Sequence, residues 1–224
     1  GLTGAVPSGD YSLQTSFRVI DSVLEHLDIE SLILGGNSMG GGISWRYAIE
    51  NPKRVKGLVL LSSSGIPGER ASRESSSRSA DTPLVWELMR SPLATNILSF
   101  YTPKFFATQG LKASVYDSNM ATTEWANQFH ELTLLEGSRT AILSRMSSGY
   151  VRNQKPELLK DLEIPALLIH GKEDNIIPVS SSESLVNFFQ DGKLIIYDDV
   201  GHLPMYEAPE RTAKDIIEFF YKRL

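Results

Sequence analysis

From Leu13 onward the apolar residues Phe17, Ile20, Leu24 and Leu27 recur at steps of four, three, four and three, which is one face of an amphipathic helix. Asp28 to Glu30 turns the chain. Ser31 to Gly36 is a short apolar run closed by glycines and predicts a buried strand, and Gly40 to Asn51 predicts a helix stopped at Pro52. Gly57 to Leu61, Pro165 to His170 and Lys193 to Tyr197 repeat the strand pattern. Helical spacing returns over Ser181 to Phe189 and Pro209 to Arg223. This alternation of strand and helix predicts an α/β fold with a mostly parallel, doubly wound sheet covered on both faces, and ligands gathered beyond the strand C-termini.

The interval from Ile66 to Lys155 breaks the rhythm. It opens with the polar stretch Ser72 to Asp81, read as a solvated linker, and continues in helix-like segments carrying Trp86, Phe100, Tyr101, Phe105, Phe106, Trp125 and Phe129. We read residues 66–155 as an inserted helical cap or lid, and residues 1–65 with 156–224 as the core. Most of the cap's aromatics are expected to fill its own interior, and some to face the active site.

Composition narrows the classes. A chain of 224 residues with 41% apolar and 22% charged residues is ordinary globular material, long enough to bury roughly 70–75% of its unfolded surface. The net charge of −5 comes with scattered Lys and Arg, so no basic stripe offers itself to nucleic acid. No apolar run reaches the ~18 residues of a membrane span. Cysteine is absent, which removes disulfides, thiolate metal sites and a cysteine nucleophile. It leaves the compartment open, with a slight lean to the cytoplasm, and oligomeric state is unreadable.

The chemistry lies in three segments. Gly36-Asn37-Ser38-Met39-Gly40 is a Gly-x-Ser-x-Gly pentapeptide where a predicted strand passes directly into a predicted helix. A turn that tight strains the serine backbone and needs slim neighbours, a role assigned to Gly36, Gly40, Gly41 and Gly42. It projects the Ser38 hydroxyl outward and aims the Met39 N–H, at the positive helix end, toward a developing oxyanion. A serine hydroxyl needs a base, and the base needs an orienting acid. Among the histidines, His26 sits late in the first helix, His130 in the cap, and His170 at a strand end, each with a surface or packing reading. His202 follows the strand ending at Tyr197 and precedes the last helix, where a base belongs. Asp174 occupies the loop after the neighbouring strand, with Glu173 and Asp199 as rivals for the acid.

Together the elbow segment, Gly171-Lys172-Glu173-Asp174 and Gly201-His202-Leu203-Pro204-Met205-Tyr206-Glu207-Ala208-Pro209-Glu210 resemble the α/β-hydrolase superfamily, specifically its capped ester-hydrolase-like members. The order Ser, Asp, His matches that family. The resemblance covers Gly1 to Ile66 and Pro156 to Leu224. It implies a catalytic triad of Ser38, Asp174 and His202, an oxyanion donor at Met39 and no metal or organic cofactor. It also implies strands ahead of the elbow strand and a second oxyanion donor, both upstream of Gly1. Gly1-Leu2-Thr3-Gly4 is similar to the middle of the family's Gly-rich loop, so the chain is read as truncated or cleaved.

The expected reaction is hydrolysis of a carboxylic ester of a small, largely apolar substrate. Carbon–carbon bond hydrolysis uses the same triad, but Leu203 stands where those enzymes often carry an aromatic residue. Ser38 argues against the Asp nucleophile of dehalogenases and epoxide hydrolases. Perhydrolysis and a non-catalytic ligand receptor on this fold stay open.

Overall fold

A computed structural model describes residues 4–64, 101–147, 155–221 and 223. The expectations placed on Ser72 to Asp81, Trp86 and Phe100 lie outside the described residues. In chain order the elements are α1 (Leu13–His26), β1 (Leu32–Asn37), α2 (Met39–Glu50), β2 (Val55–Leu61), α3 (Lys104–Ser114), α4 (Thr123–Leu134), α5 (Ser138–Ser147), β3 (Pro165–Gly171), α6 (Val179–Val186), β4 (Asp191–Tyr197), α7 (Pro204–Glu207) and α8 (Pro209–Tyr221).

The four strands form one parallel sheet in the order β1-β2-β3-β4. Strand side chains alternate between faces, and two cores result. Leu58, Leu60, Ala166 and Leu168 join Trp45 of α2, Phe17 of α1 and Leu185 of α6 on one face. Val59, Leu61, Leu167 and Ile169 join Phe219 and Phe220 of α8 on the other. Leu58 to Leu61 of β2 and Ala166 to Ile169 of β3 are buried on both faces and read as unbroken apolar runs, as parallel strands under helices do. Leu58 pairs with Ala166 and Leu61 with Ile169, so β3 lies directly beside β2 although the two are far apart in sequence.

Several elements differ from the pattern that predicted them. Leu27 is the C-terminal cap of α1 and is 58% exposed, so the buried stripe stops at Leu24. Ser12 starts that helix, its side chain accepting from the Thr15 N–H. The apolar Phe188 and Phe189 extend the pattern of α6, yet their amides bond back only three residues, to Leu185 and Val186, and the helix closes at Val186. The last helix ends at Tyr221, short of Arg223.

Helices α3 and α4 hold a small core of their own: Leu111, Val115, Ala121 and Ala126. Among the described residues, the aromatics expected in the cap do not fill this cluster. Tyr101, Phe105 and Phe129 are exposed, Trp125 packs at the edge of the cluster, and aliphatic side chains fill its centre. Phe129 also lines a cavity of about 530 Å³, with Val19 and Ile20 of α1, Ile43 of α2 and Ile142 of α5. No helix among the described residues is long and apolar enough to cross a membrane.

Leu168 is fully buried in the middle of β3, an inner strand of the sheet. Leu168→Ala is expected to cost about 2–5 kcal/mol. This should lower the urea midpoint at unchanged slope, whereas a change below 0.5 kcal/mol would contradict the packing described.

Candidate active site

The C-terminal ends of the strands carry the candidate residues, Ser38 after β1, Asp174 after β3 and His202 after β4. Parallel pairing brings these ends to one edge of the sheet.

Ser38 sits between strand and helix with φ 54° and ψ −118°. A left-handed backbone at a non-glycine residue costs roughly 1–3 kcal/mol, so its surroundings must hold it. Its N–H donates to the Leu61 carbonyl at 2.9 Å. Its carbonyl accepts from the Gly42 N–H at 3.1 Å, the Ser64 N–H at 3.0 Å and the Ser64 hydroxyl at 3.2 Å. A Cβ on Gly36 would lie 2.3 Å from the Gly40 backbone carbon, so the strand can approach the helix this closely only with glycine at 36. The clearance expected of Gly40 is corrected: a Cβ there would meet nothing within 4 Å, and Gly40 matters as backbone that Gly36 must clear. Met39 opens α2, so its N–H belongs to the first turn, which has no partner within the helix.

The Asp174 side chain is fully buried and accepts three hydrogen bonds, with the His170 ring in contact beside them. Oδ1 takes the N–H groups of Ile176 at 2.8 Å and Ile177 at 2.9 Å. Oδ2 takes His202 Nδ1 at 2.7 Å and lies 3.2 Å from His170 Nε2. Burial alone pushes this carboxyl up, but the bonds from His170 and His202 and the Ile177 N–H hold it well below the usual carboxylate range. Of the three acids weighed in the sequence, Asp174 is the one bonded to His202. Glu173 Oε2 accepts from the Val200 N–H at 3.2 Å, and Asp199, at φ 59°, meets the Tyr116 hydroxyl. The two loops touch through backbone: a Cβ on Gly171 would lie 2.0 Å from the Gly201 carbonyl oxygen.

With Nδ1–H committed to Asp174, the neutral His202 ring keeps an unprotonated Nε2. The ring is almost wholly buried. Asn37 links it to the elbow, its amide donating to the Leu61 carbonyl at 3.1 Å and the His202 carbonyl at 3.0 Å. The Ser38 and His202 backbones are thus tied through the residue before the serine, while no direct bond joins the Ser38 hydroxyl to the His202 ring among the described residues.

The loop bearing His202 is also gripped from the α3 side. The His202 N–H donates to the Ser114 carbonyl at 2.8 Å. Glu207 accepts from Gly201, Leu203 and Tyr116 N–H groups at 2.9, 3.0 and 2.7 Å, bracketing the histidine. Leu203 packs on the α3–α4 cluster, and Tyr206 stacks on Trp125 at 3.8 Å between ring centroids. Asn37, His170 and Glu207 were not assigned these parts from sequence. Asn37 and Glu207 stand inside the two motifs, but only the closure of the fold shows what they bind. The other histidines lie apart: His26 is exposed, and His130 meets the Thr102 carbonyl at 2.8 Å. The 530 Å³ cavity has none of Ser38, Asp174 or His202 in its walls. No cluster of metal-ligating side chains occurs among the described residues.

A carboxylate held below its unfolded value adds stability that is complete above about pH 4 and drains away as pH falls from there toward the folded value. The difference in urea stability between the wild-type chain and Asp174→Asn is therefore expected to narrow below about pH 4. A difference that stays constant through that range would show that the fold does not favour the ionised form.

Known proteins are similar to this chain in sequence and fold. A 2-hydroxymuconate semialdehyde hydrolase of a Pseudomonas species is 27% identical over 203 residues, covering 88% of this chain and 64% of that protein. Lipase 3 of a Moraxella species is 29% identical over 190 residues, covering 83% and 55%. The chain thus spans less than two thirds of the length of these two relatives. The solved meta-cleavage product hydrolase of Pseudomonas fluorescens superposes with a TM-score of 0.79 at 24% identity, over all of this chain and 77% of that one, a likeness of fold. The sequence model of the alpha/beta hydrolase fold family matches residues 3–209, and the chain belongs to that family.

Proposed function

We propose that the chain is the catalytic part of a serine hydrolase that cleaves a carboxylic ester of a small, largely apolar substrate through an acyl-enzyme. The observation that carries this reading is the 2.7 Å bond from His202 Nδ1 to a fully buried Asp174, at the same sheet edge as a serine with positive φ. The relation to a lipase supports the ester class.

In this mechanism the Ser38 hydroxyl attacks the ester carbonyl while His202 Nε2 takes its proton. The imidazolium that forms is stabilised by Asp174, already ionised and already bonded to Nδ1. The carbonyl oxygen gains charge toward the Met39 N–H and the positive end of α2. Collapse of the tetrahedral intermediate expels the alcohol, which leaves with the proton from Nε2. Water, deprotonated by the same nitrogen, then attacks the acyl-enzyme and frees the acid and Ser38. The residues named supply each proton transfer without a cofactor. Residues 66–155 are proposed as a cap over this edge, supported by the contacts of Ser114, Tyr116 and Trp125 with the His202 loop.

A second reading, carbon–carbon bond hydrolysis by the same residues, is favoured by the likeness to the semialdehyde hydrolase. Leu203 weighs against it, standing where such enzymes often carry an aromatic residue and packing here against the α3–α4 cluster.

Turnover of p-nitrophenyl esters from acetate to decanoate tests the proposal. Ser38→Ala is expected to lower kcat by on the order of 10⁴ to 10⁶ and Asp174→Asn by about 10⁴, with folding unchanged by circular dichroism. Equal rates for wild type and Ser38→Ala would end the ester reading. Turnover of a vinylogous diketone in preference to every ester would install the second.

A further inference from the structure

His170 is a fully buried titratable group that the mechanism above leaves unused. It lies on β3 two residues beyond Leu168, and so on the same face, under α6. Each of its ring nitrogens has a partner. Nδ1 lies 2.7 Å from the Ser182 hydroxyl of α6. Nε2 lies 3.0 Å from the Ile177 carbonyl and 3.2 Å from Asp174 Oδ2.

These partners decide where the proton sits. A carbonyl oxygen only accepts, so Nε2 must carry hydrogen, and that N–H is shared between Ile177 and Asp174. Nδ1 of the neutral ring is then an acceptor, filled by the Ser182 hydroxyl, which can donate. Asp174 is the charged group within reach of the ring, and its Oδ2 stands between two histidines. A space-filling role would need only an apolar ring, because burying an imidazole without bonds is costly.

We propose that His170 is a positioning residue for the Asp174–His202 pair, its Nε2–H holding the carboxylate in the rotamer that faces His202 and drawing off part of its charge. The proposal rests on the reading of His202 as the base and extends it one residue back into the sheet. A carboxylate relieved of part of its charge binds the His202 proton less tightly. The base then gives up that proton more readily, and Ser182, whose hydroxyl donates to His170 Nδ1, belongs to the same chain of bonds. Removing the donor leaves Asp174 a stronger acceptor and makes the imidazolium of His202 harder to deprotonate.

Nitrogen-15 NMR of histidine-labelled wild-type chain reads the tautomer directly and needs no variant. The expected result is His170 protonated at Nε2 and bare at Nδ1. A proton on Nδ1 instead would point a lone pair at Asp174 and overturn the proposal. Two variants then test the consequence: His170→Gln, which keeps an N–H donor near the Nε2 position, and His170→Phe, which keeps a ring without one. In His170→Phe the His202 titration midpoint is expected to rise by about 0.5–1 pH unit, with a fall of about three- to tenfold in Ser38 labelling by a fluorophosphonate below that midpoint. His170→Gln is expected to stay close to wild type in both. Identical His202 titrations in all three proteins, or equal losses in both variants, would reduce His170 to a packing residue and overturn the proposal. Should His170→Phe not fold, the wild-type tautomer and the His170→Gln titration still decide. A folded wild-type chain that neither labels at Ser38 nor turns over an ester would defeat the hydrolase reading, while the tautomer and the His202 titration would still report on the His170 contact.

Discussion

A carboxylate removed from water must have every lone pair answered, or the loop that carries it cannot persist. Asp174 meets this condition with two backbone N–H groups on one oxygen and two imidazoles on the other. The two N–H groups curl the chain from Gly171 to Ile177 around the acid. The imidazoles come from β3 itself and from the loop after β4, so one side chain ties two strand ends together. The bare backbone contact of Gly171 with Gly201 is the steric counterpart, since the loops must nearly touch for Asp174 to reach His202. Losing the bond from Ile176, Ile177 or His202 would leave a buried polar group unpaired, at a cost of about 1–3 kcal/mol or more for a charge.

The elbow obeys a second constraint of the opposite kind, stored strain. Ser38 holds a backbone conformation that few side chains adopt, and its own peptide groups are bonded to β2, to α2 and to Ser64. The strain persists because strand pairing and helix start are both fixed by the buried cores on the two sheet faces. Asn37 connects the two constraints, its amide binding a β2 carbonyl and the His202 carbonyl together. Ser38 and His202 are thus registered through main chain, independently of any bond between their side chains.

Much of this was legible in the sequence, for physical reasons. Apolar runs too continuous to face water identify β2 and β3, and the period of 3.6 identifies α1 and α8. The Gly-x-Ser-x-Gly turn is readable because only glycine at 36 clears the helix backbone, and His202 and Asp174 are readable because each follows a strand. What escaped was side-chain destination. Leu27 continues a helical face that the end of α1 leaves in solvent, and the exposed Tyr101, Phe105 and Phe129 look like core until aliphatics are found there instead. His170 looks like any strand-end residue, because the partners that define it, Ser182 and Asp174, come from the loop and helix beyond it.

The His202 loop is held on both sides by carboxylates doing different work. Asp174 approaches the ring from the sheet and fixes its tautomer. Glu207 approaches the backbone from the other side, taking the N–H groups of Gly201 and Leu203 on either side of the histidine and that of Tyr116 just after α3. Hydrogen bonds to a charged acceptor are roughly twice as strong as neutral ones, so the three together fix the loop more firmly than its short length would. The proposed role of His202 as a base fits this separation of duties: one carboxylate answers the charge of the ring while another holds its main chain. Because Tyr116 and Trp125 share in that grip, the orientation of His202 depends on α3 and α4, which lie far from it in sequence.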